Sequence, residues 1–252
     1  MPIKKLLMIL LASFIVSSCA SSAGRKSQDQ LALAMKKEGD IFQTQGNYTA
    51  ALSKLLEAEK RTPNDPYLQN SLGLAYMGKN RDDLAVAAFK KAAAEKPDYI
   101  EAINNLGAAY LRQGKWDMAI ESFNTVLESL LYPTPHFPLS NIGWVYLGKK
   151  EFGLAETYFR KALDAMPGFT AASHGLAQVY LQSGQIDQAV AYLHHCLNRS
   201  PDTPIFHADM AEAYEKKGLT QQAIASWQLV LKLVPEKSFL ARQAKIRLSE
   251  LH

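Results

Sequence analysis

Five prolines set the frame of this chain: Pro63, Pro97, Pro167, Pro201 and Pro235 stand 34, 70, 34 and 34 residues apart. Other positions keep step with them. A Gly or Ala followed three residues later by an aromatic recurs at Gly39/Phe42, Gly73/Tyr76, Gly107/Tyr110, Gly143/Tyr146, Ala177/Tyr180 and Ala211/Tyr214. Nine residues beyond each aromatic stands an alanine: Ala51, Ala85, Ala119, Ala155, Ala189 and Ala223. Four further on comes a large apolar side chain: Leu55, Phe89, Phe123, Phe159, Leu193 and Trp227. A period of this length, carried six times over residues 32–237, means stacked copies of one supersecondary unit.

Two antiparallel helices satisfy the pattern. The Gly or Ala of the first helix (A) lets a bulky side chain of the second (B) approach, and the aromatic three residues on lies on the same face. The alanine of helix B marks the closest backbone approach. The proline ends helix B and opens the next connection. Turns from A to B carry Gly46, Gly114, Gly184 and Gly218, which reach positive φ without a Cβ penalty. The pattern resembles the tetratricopeptide repeat. It implies an all-α fold, a right-handed superhelical solenoid of six helix-turn-helix repeats at 32–65, 66–99, 100–135, 136–169, 170–203 and 204–237. Residues 238–252 read as a capping helix, with Leu240, Ala244, Leu248 and Leu251 at helical spacing and Arg242, Lys245 and Arg247 off that stripe.

The third repeat is irregular. Gly107 and Gly143 are 36 residues apart, so two residues are inserted. The connection Leu131-Tyr132-Pro133-Thr134-Pro135-His136-Phe137-Pro138 is stiffened by three prolines. It is either a tolerated insertion or a functional element, and the sequence leaves both open.

The N-terminus reads as an export signal. Lys4 and Lys5 precede an apolar run from Leu6 to Val16, broken only by Ser13. The run is shorter than the roughly 20 residues a spanning helix needs. Val16-Ser17-Ser18-Cys19 then resembles the lipobox of bacterial lipoproteins. The resemblance implies cleavage of residues 1–18, a diacylglycerol thioether and N-acylation at Cys19, and a flexible tether over 19–31. Ala20 in place of an aspartate favours, by the same resemblance, transfer to the outer membrane with the chain on the periplasmic face. Losing Lys4 and Lys5 lowers the formal charge from +4 to +2, and the remaining cations are scattered among 24 acids. A nucleic-acid surface needs a concentrated basic stripe instead.

Sequence motifs for chemistry are weak. Gly73-x4-Gly78-Lys79 and Gly143-x4-Gly148-Lys149 approach a phosphate-binding loop, but Asn80 and Lys150 follow where Ser or Thr is required, and the intervening residues are helical. His194-His195-Cys196 cannot converge on one ion, because adjacent helical residues point about 100° apart. Cys196 falls at a small, buried position of helix B, and His174 and His207 stand on separate helices. The expectation is no enzyme, no metal and no cofactor beyond the lipid at Cys19, with no nucleic acid and no small-molecule substrate.

Helix A residues not used for packing are expected to line a groove. In repeat 2 these are Tyr67, Asn70, Leu74 and Met77, in repeat 3 Glu101, Asn104, Ala108 and Leu111, and in repeat 4 Phe137, Ser140, Trp144 and Leu147. The set is largely apolar and aromatic, suited to an amphipathic helix or strand of a partner. Lipobox, tether and six repeats together resemble the type IV pilus biogenesis lipoproteins, the pilotins of the outer-membrane secretin. Tyr132-Pro133-Thr134-Pro135 and Asn141-Ile142-Gly143-Trp144 are similar to the middle of that family. The resemblance implies binding of secretin subunits, their delivery to the outer membrane and their multimerisation. It places the partner-binding groove at Tyr67, Asn70, Leu74, Met77, Asn104, Leu111 and Trp144. The alternative is an adaptor that scaffolds peptidoglycan enzymes or another envelope complex.

Overall fold

The repeat pattern folds as helices throughout. A computed structural model describes residues 27–129 and 132–251, and among them there is no strand. The signal segment, Cys19 and the tether up to residue 26 lie outside the described residues, as do positions 130 and 131 of the proline-rich connection. Helix α1 covers 27–44. The others are α2 (Tyr48–Glu59), α3 (Pro66–Gly78), α4 (Asp82–Glu95), α5 (Ile100–Arg112), α6 (Trp116–Glu128), α7 (His136–Gly148), α8 (Phe152–Ala165), α9 (Thr170–Gln182), α10 (Ile186–Arg199), α11 (Pro204–Lys216), α12 (Thr220–Leu233) and α13 (Phe239–Leu251). Odd numbers are A helices and even numbers B helices up to α12. Residues 27–31, expected as tether, are helical. The reason is local: Gln28, Gln30 and Leu31 propagate a helix well, and Ala32 is buried in a cluster with Ala51, Leu55 and Leu72 that rewards the extension.

The chain divides into two compact units, up to Gln113 and from Gly114 onward. In the first, Leu55, Leu68 and Leu72 form the core, with Met35, Phe42 and Tyr76 packed against it. In the second, Phe159, Leu176, Tyr180 and Leu193 lie at the centre of a larger core. Burying one such side chain contributes roughly 1.5–3 kcal/mol. The six helix B alanines are fully buried, and so are Leu55, Phe89, Phe123, Phe159 and Leu193. The second unit ends in α13, where Ala244 is buried with Trp227 and Val230, and Leu240, Leu248 and Leu251 pack on the same cluster. Glu215 accepts from the Trp227 indole N–H at 2.6 Å and also pairs with Arg247, so one carboxylate ties α11, α12 and α13 together.

The A–B turns need one residue in the left-handed region. Gly46, Gly114, Gly184 and Gly218 take it with φ between 69° and 80°. Repeats 2 and 4 lack glycine there, and Asn80 (φ 58°) and Lys150 (φ 60°) fill the position. Asn80 is a side chain that tolerates this conformation, and Lys150 is not. The lysine-bearing phosphate-loop lookalikes are thus helix ends and their turns.

Candidate protein-interaction surface

Helix A of each repeat divides its residues between packing and an open face, and the division can be read from exposure. On α3, Tyr67 is 46% and Leu74 is 37% exposed, and Met77 is half-buried. Asn104 and Leu111 of α5 are half-buried, and α3 packs beside α5. Of these, Tyr67 and Leu74 are the open positions, and Met77, Asn104 and Leu111 are only partly exposed. Asn70 departs from the expected arrangement. It is 8% exposed, and its Oδ1 accepts from the Asn105 side-chain amide at 2.9 Å, so it lies inside the layer between repeats. Asn104 has a buried Oδ1 with no hydrogen-bond partner in the protein.

At the start of α3, Tyr67 and Tyr99 stack obliquely, with ring centroids 5.0 Å apart. The Lys96 ammonium donates to the Tyr67 hydroxyl at 2.6 Å, which pushes the lysine above its ordinary value. Burial pushes the Tyr99 hydroxyl up. The second unit repeats the device at the start of α7: Phe137, 44% exposed, meets Phe169 edge-on at 5.2 Å. Each pair joins the second residue of an A helix to the residue that precedes the next A helix. Sequence reasoning placed Tyr67 and Phe137 on the face and missed Tyr99 and Phe169, although the identical spacing of the two pairs carried the signal.

Trp144 belongs to the second unit. Its ring stands edge-on to Phe159 at 5.3 Å and 5.1 Å from the His174 ring. His174, alone in the sequence, is joined to another helix: Nδ1 is 2.7 Å from Oδ2 of Asp209, a carboxylate only 2% exposed. A carboxylate only accepts, so Nδ1 carries the hydrogen. The Gln178 amide donates to Asp209 Oδ1 at 2.9 Å and to Glu212 at 3.2 Å, so both Asp209 oxygens are satisfied. Asn70–Asn105 and His174–Asp209 are the same rung in different repeats, the fifth residue of one A helix meeting the sixth of the next. Ser140 occupies the fifth position of α7, but the sixth position of α9 is Gly175. Ser140 is 2% exposed, and its hydroxyl is left without a partner. Leu147 is 4% exposed and belongs to the core.

Among the described residues, no group of three or more His, Cys, Asp or Glu is placed to hold a metal ion. What the arrangement offers chemically is rings and aliphatic side chains on rigid helices, with polar rungs that fix the helix spacing beneath them. Such surfaces recognise polypeptide.

This fold and surface define a tandem helical-repeat interaction scaffold. Tetratricopeptide repeat models match residues 36–100, 100–129 and 146–208. The chain belongs to the tetratricopeptide repeat family, whose members are generally non-catalytic scaffolds for protein partners. Among curated proteins, no significant match is found. Solved structures of similar fold include PilW, described as a widely conserved type IV pilus biogenesis factor (23% identity, TM-score 0.71, covering 86% of this chain and 99% of that one). Another is PilF of Pseudomonas aeruginosa (18% identity, TM-score 0.64, 88% and 99%). A third is a tetratricopeptide repeat protein of Parabacteroides merdae (20% identity, TM-score 0.65, 88% of each). At these identities the likeness is one of fold.

Proposed function

We propose that this chain is a lipid-anchored assembly factor for a type IV pilus secretin, held at the periplasmic face of the outer membrane through Cys19. The reading is carried by one observation. Tyr67 and Leu74 are large apolar side chains left open on α3, while Leu68, Leu72 and Ala75 of the same helix are buried. The contacts of Tyr67 with Tyr99 and Lys96 still leave it open to solvent, as Leu74 is, and an amphipathic segment of a secretin subunit would cover both. The extent of the likeness to PilW and PilF, nearly the full length of both, supports the same reading, as does the lipobox Val16-Ser17-Ser18-Cys19. Lipid at Cys19 would confine the scaffold to the membrane where the multimer is built. Multiple acyl chains make such anchoring stable where one does not.

The test is binding of purified secretin subunits to the wild-type chain and to Tyr67→Asp and Leu74→Asp. Both positions are exposed, so the variants keep the fold. Loss of binding with an unchanged melting temperature is the expected result. Undiminished binding by both variants removes this face from the mechanism.

A further inference from the structure

The second unit contains a cavity of about 360 Å³ away from the A-helix face, between the α8–α9 connection, α10 and the start of α11. Leu163, Pro167 and Phe206 give it an apolar wall. Tyr192, Cys196 and Ser173 give it a polar one, and the Tyr192 hydroxyl shares hydrogen bonds with Ser173 and Cys196. Burial pushes both the tyrosine hydroxyl and the thiol up, so both stay protonated donors. His195 and Arg199 stand at the exposed edge, one and two turns along the face that starts at Tyr192.

The formal charge of the cavity lining is one-sided, although the buried Asp209 behind it also acts on the Cys196 thiol. Arg199 is its only formally charged lining residue, and no carboxylate lines it. Among the described residues, no carboxylate forms an ion pair with Arg199. A cation in the last turn of α10 suits the helix dipole. That does not account for a hollow beside it lined by Tyr192, Ser173 and Cys196. The volume lies in the range of small-ligand sites, which are mostly apolar with a few placed polar groups.

We propose that this cavity binds an apolar carboxylate, with the apolar group against Leu163, Pro167 and Phe206 and the carboxylate on Arg199 and His195. The chemistry admits two sources, the free C-terminus of a polypeptide ending in an apolar residue or a small aryl acid. The site is independent of the secretin-binding face.

Cys196 is the reporter. In the full chain carrying Cys19→Ser it is the only thiol, and an occupant of the cavity shields it from a disulfide reagent. The probes are N-acetyl-phenylalanine and an unstructured pentapeptide ending in phenylalanine, each as free acid and as amide. Slower modification of Cys196 by the acids and not by the amides is expected. Arg199→Gln should weaken that protection about tenfold, the loss of one charge-assisted contact, with protection taken in each variant as the ratio of the rates without and with probe, because losing the Arg199 charge also slows the thiol by itself. Protection by the peptide acid alone assigns the cavity to a chain terminus. Protection by N-acetyl-phenylalanine alone assigns it to a small acid. Equal protection by amides, protection unchanged in Arg199→Gln, or no protection at millimolar probe overturns the proposal.

Discussion

Gly175 of α9 lies against the ring of Phe159 of α8 so closely that a Cβ on the glycine would stand 2.2 Å from a ring carbon. The same ring faces Gly143 of α7, where a Cβ would stand 2.8 Å away. One phenylalanine is therefore wedged between two successive A helices, and the missing methyl groups are what allow the stack to close. Gly73 and Phe89 repeat the contact in the first unit.

Gly175→Ala is expected to destabilise by about 1–3 kcal/mol, because the methyl meets a ring that two helices hold in place. Gly153→Ala is the matched control. Gly153 lies in α8 with nothing within 4 Å of a built Cβ, so alanine there should stabilise by up to about 1 kcal/mol. Thermal or denaturant unfolding of the two variants should move in opposite directions. Movement in the same direction would refute the wedge.

Lys150 holds a φ of 60° in the turn between α7 and α8, where four other turns use glycine. Lys150→Gly removes left-handed strain of about 1 kcal/mol and should raise the melting temperature. Lys150→Val should lower it by more, because a β-branched side chain tolerates positive φ poorly.

Asp209 satisfies both His174 and Gln178 from a buried position. Asp209→Ala leaves the His174 imidazole N–H without its acceptor and the Gln178 amide with Glu212 alone, at about 1 kcal/mol for a partly buried donor. A double-mutant cycle with His174→Ala should return a coupling energy above about 0.5 kcal/mol, the level that separates contacting residues from independent ones. A value near zero would show that the rung contributes nothing.

The helices, their pairing and the buried B-helix positions were legible in the sequence because a repeat states its own register. Each of Ala51, Ala85, Ala119, Ala155, Ala189 and Ala223 is an independent vote for the same geometry. The exposed part of the A-helix face was legible for the same reason, at Tyr67, Leu74 and Phe137. The polar rungs were not. Asn70 and Asn105, like His174 and Asp209, are 35 residues apart, one repeat plus one residue, and a search for identical residues at the repeat period passes over two different residues offset by one. Asn70 therefore looked like a free groove amide, whereas its carbonyl oxygen is already used. The cavity beside Arg199 was illegible for another reason. It is built where the α8–α9 and α10–α11 connections meet α10, and the shape of a connection depends on packing rather than on period.

Whether this scaffold assembles a secretin is decided by the amount of heat- and detergent-resistant secretin multimer in membranes of a strain lacking this chain. The multimer should disappear while the monomer persists in the inner membrane, and Tyr67→Asp and Leu74→Asp should fail to restore it. Normal amounts of correctly placed multimer in the deletion strain would contradict the proposed role.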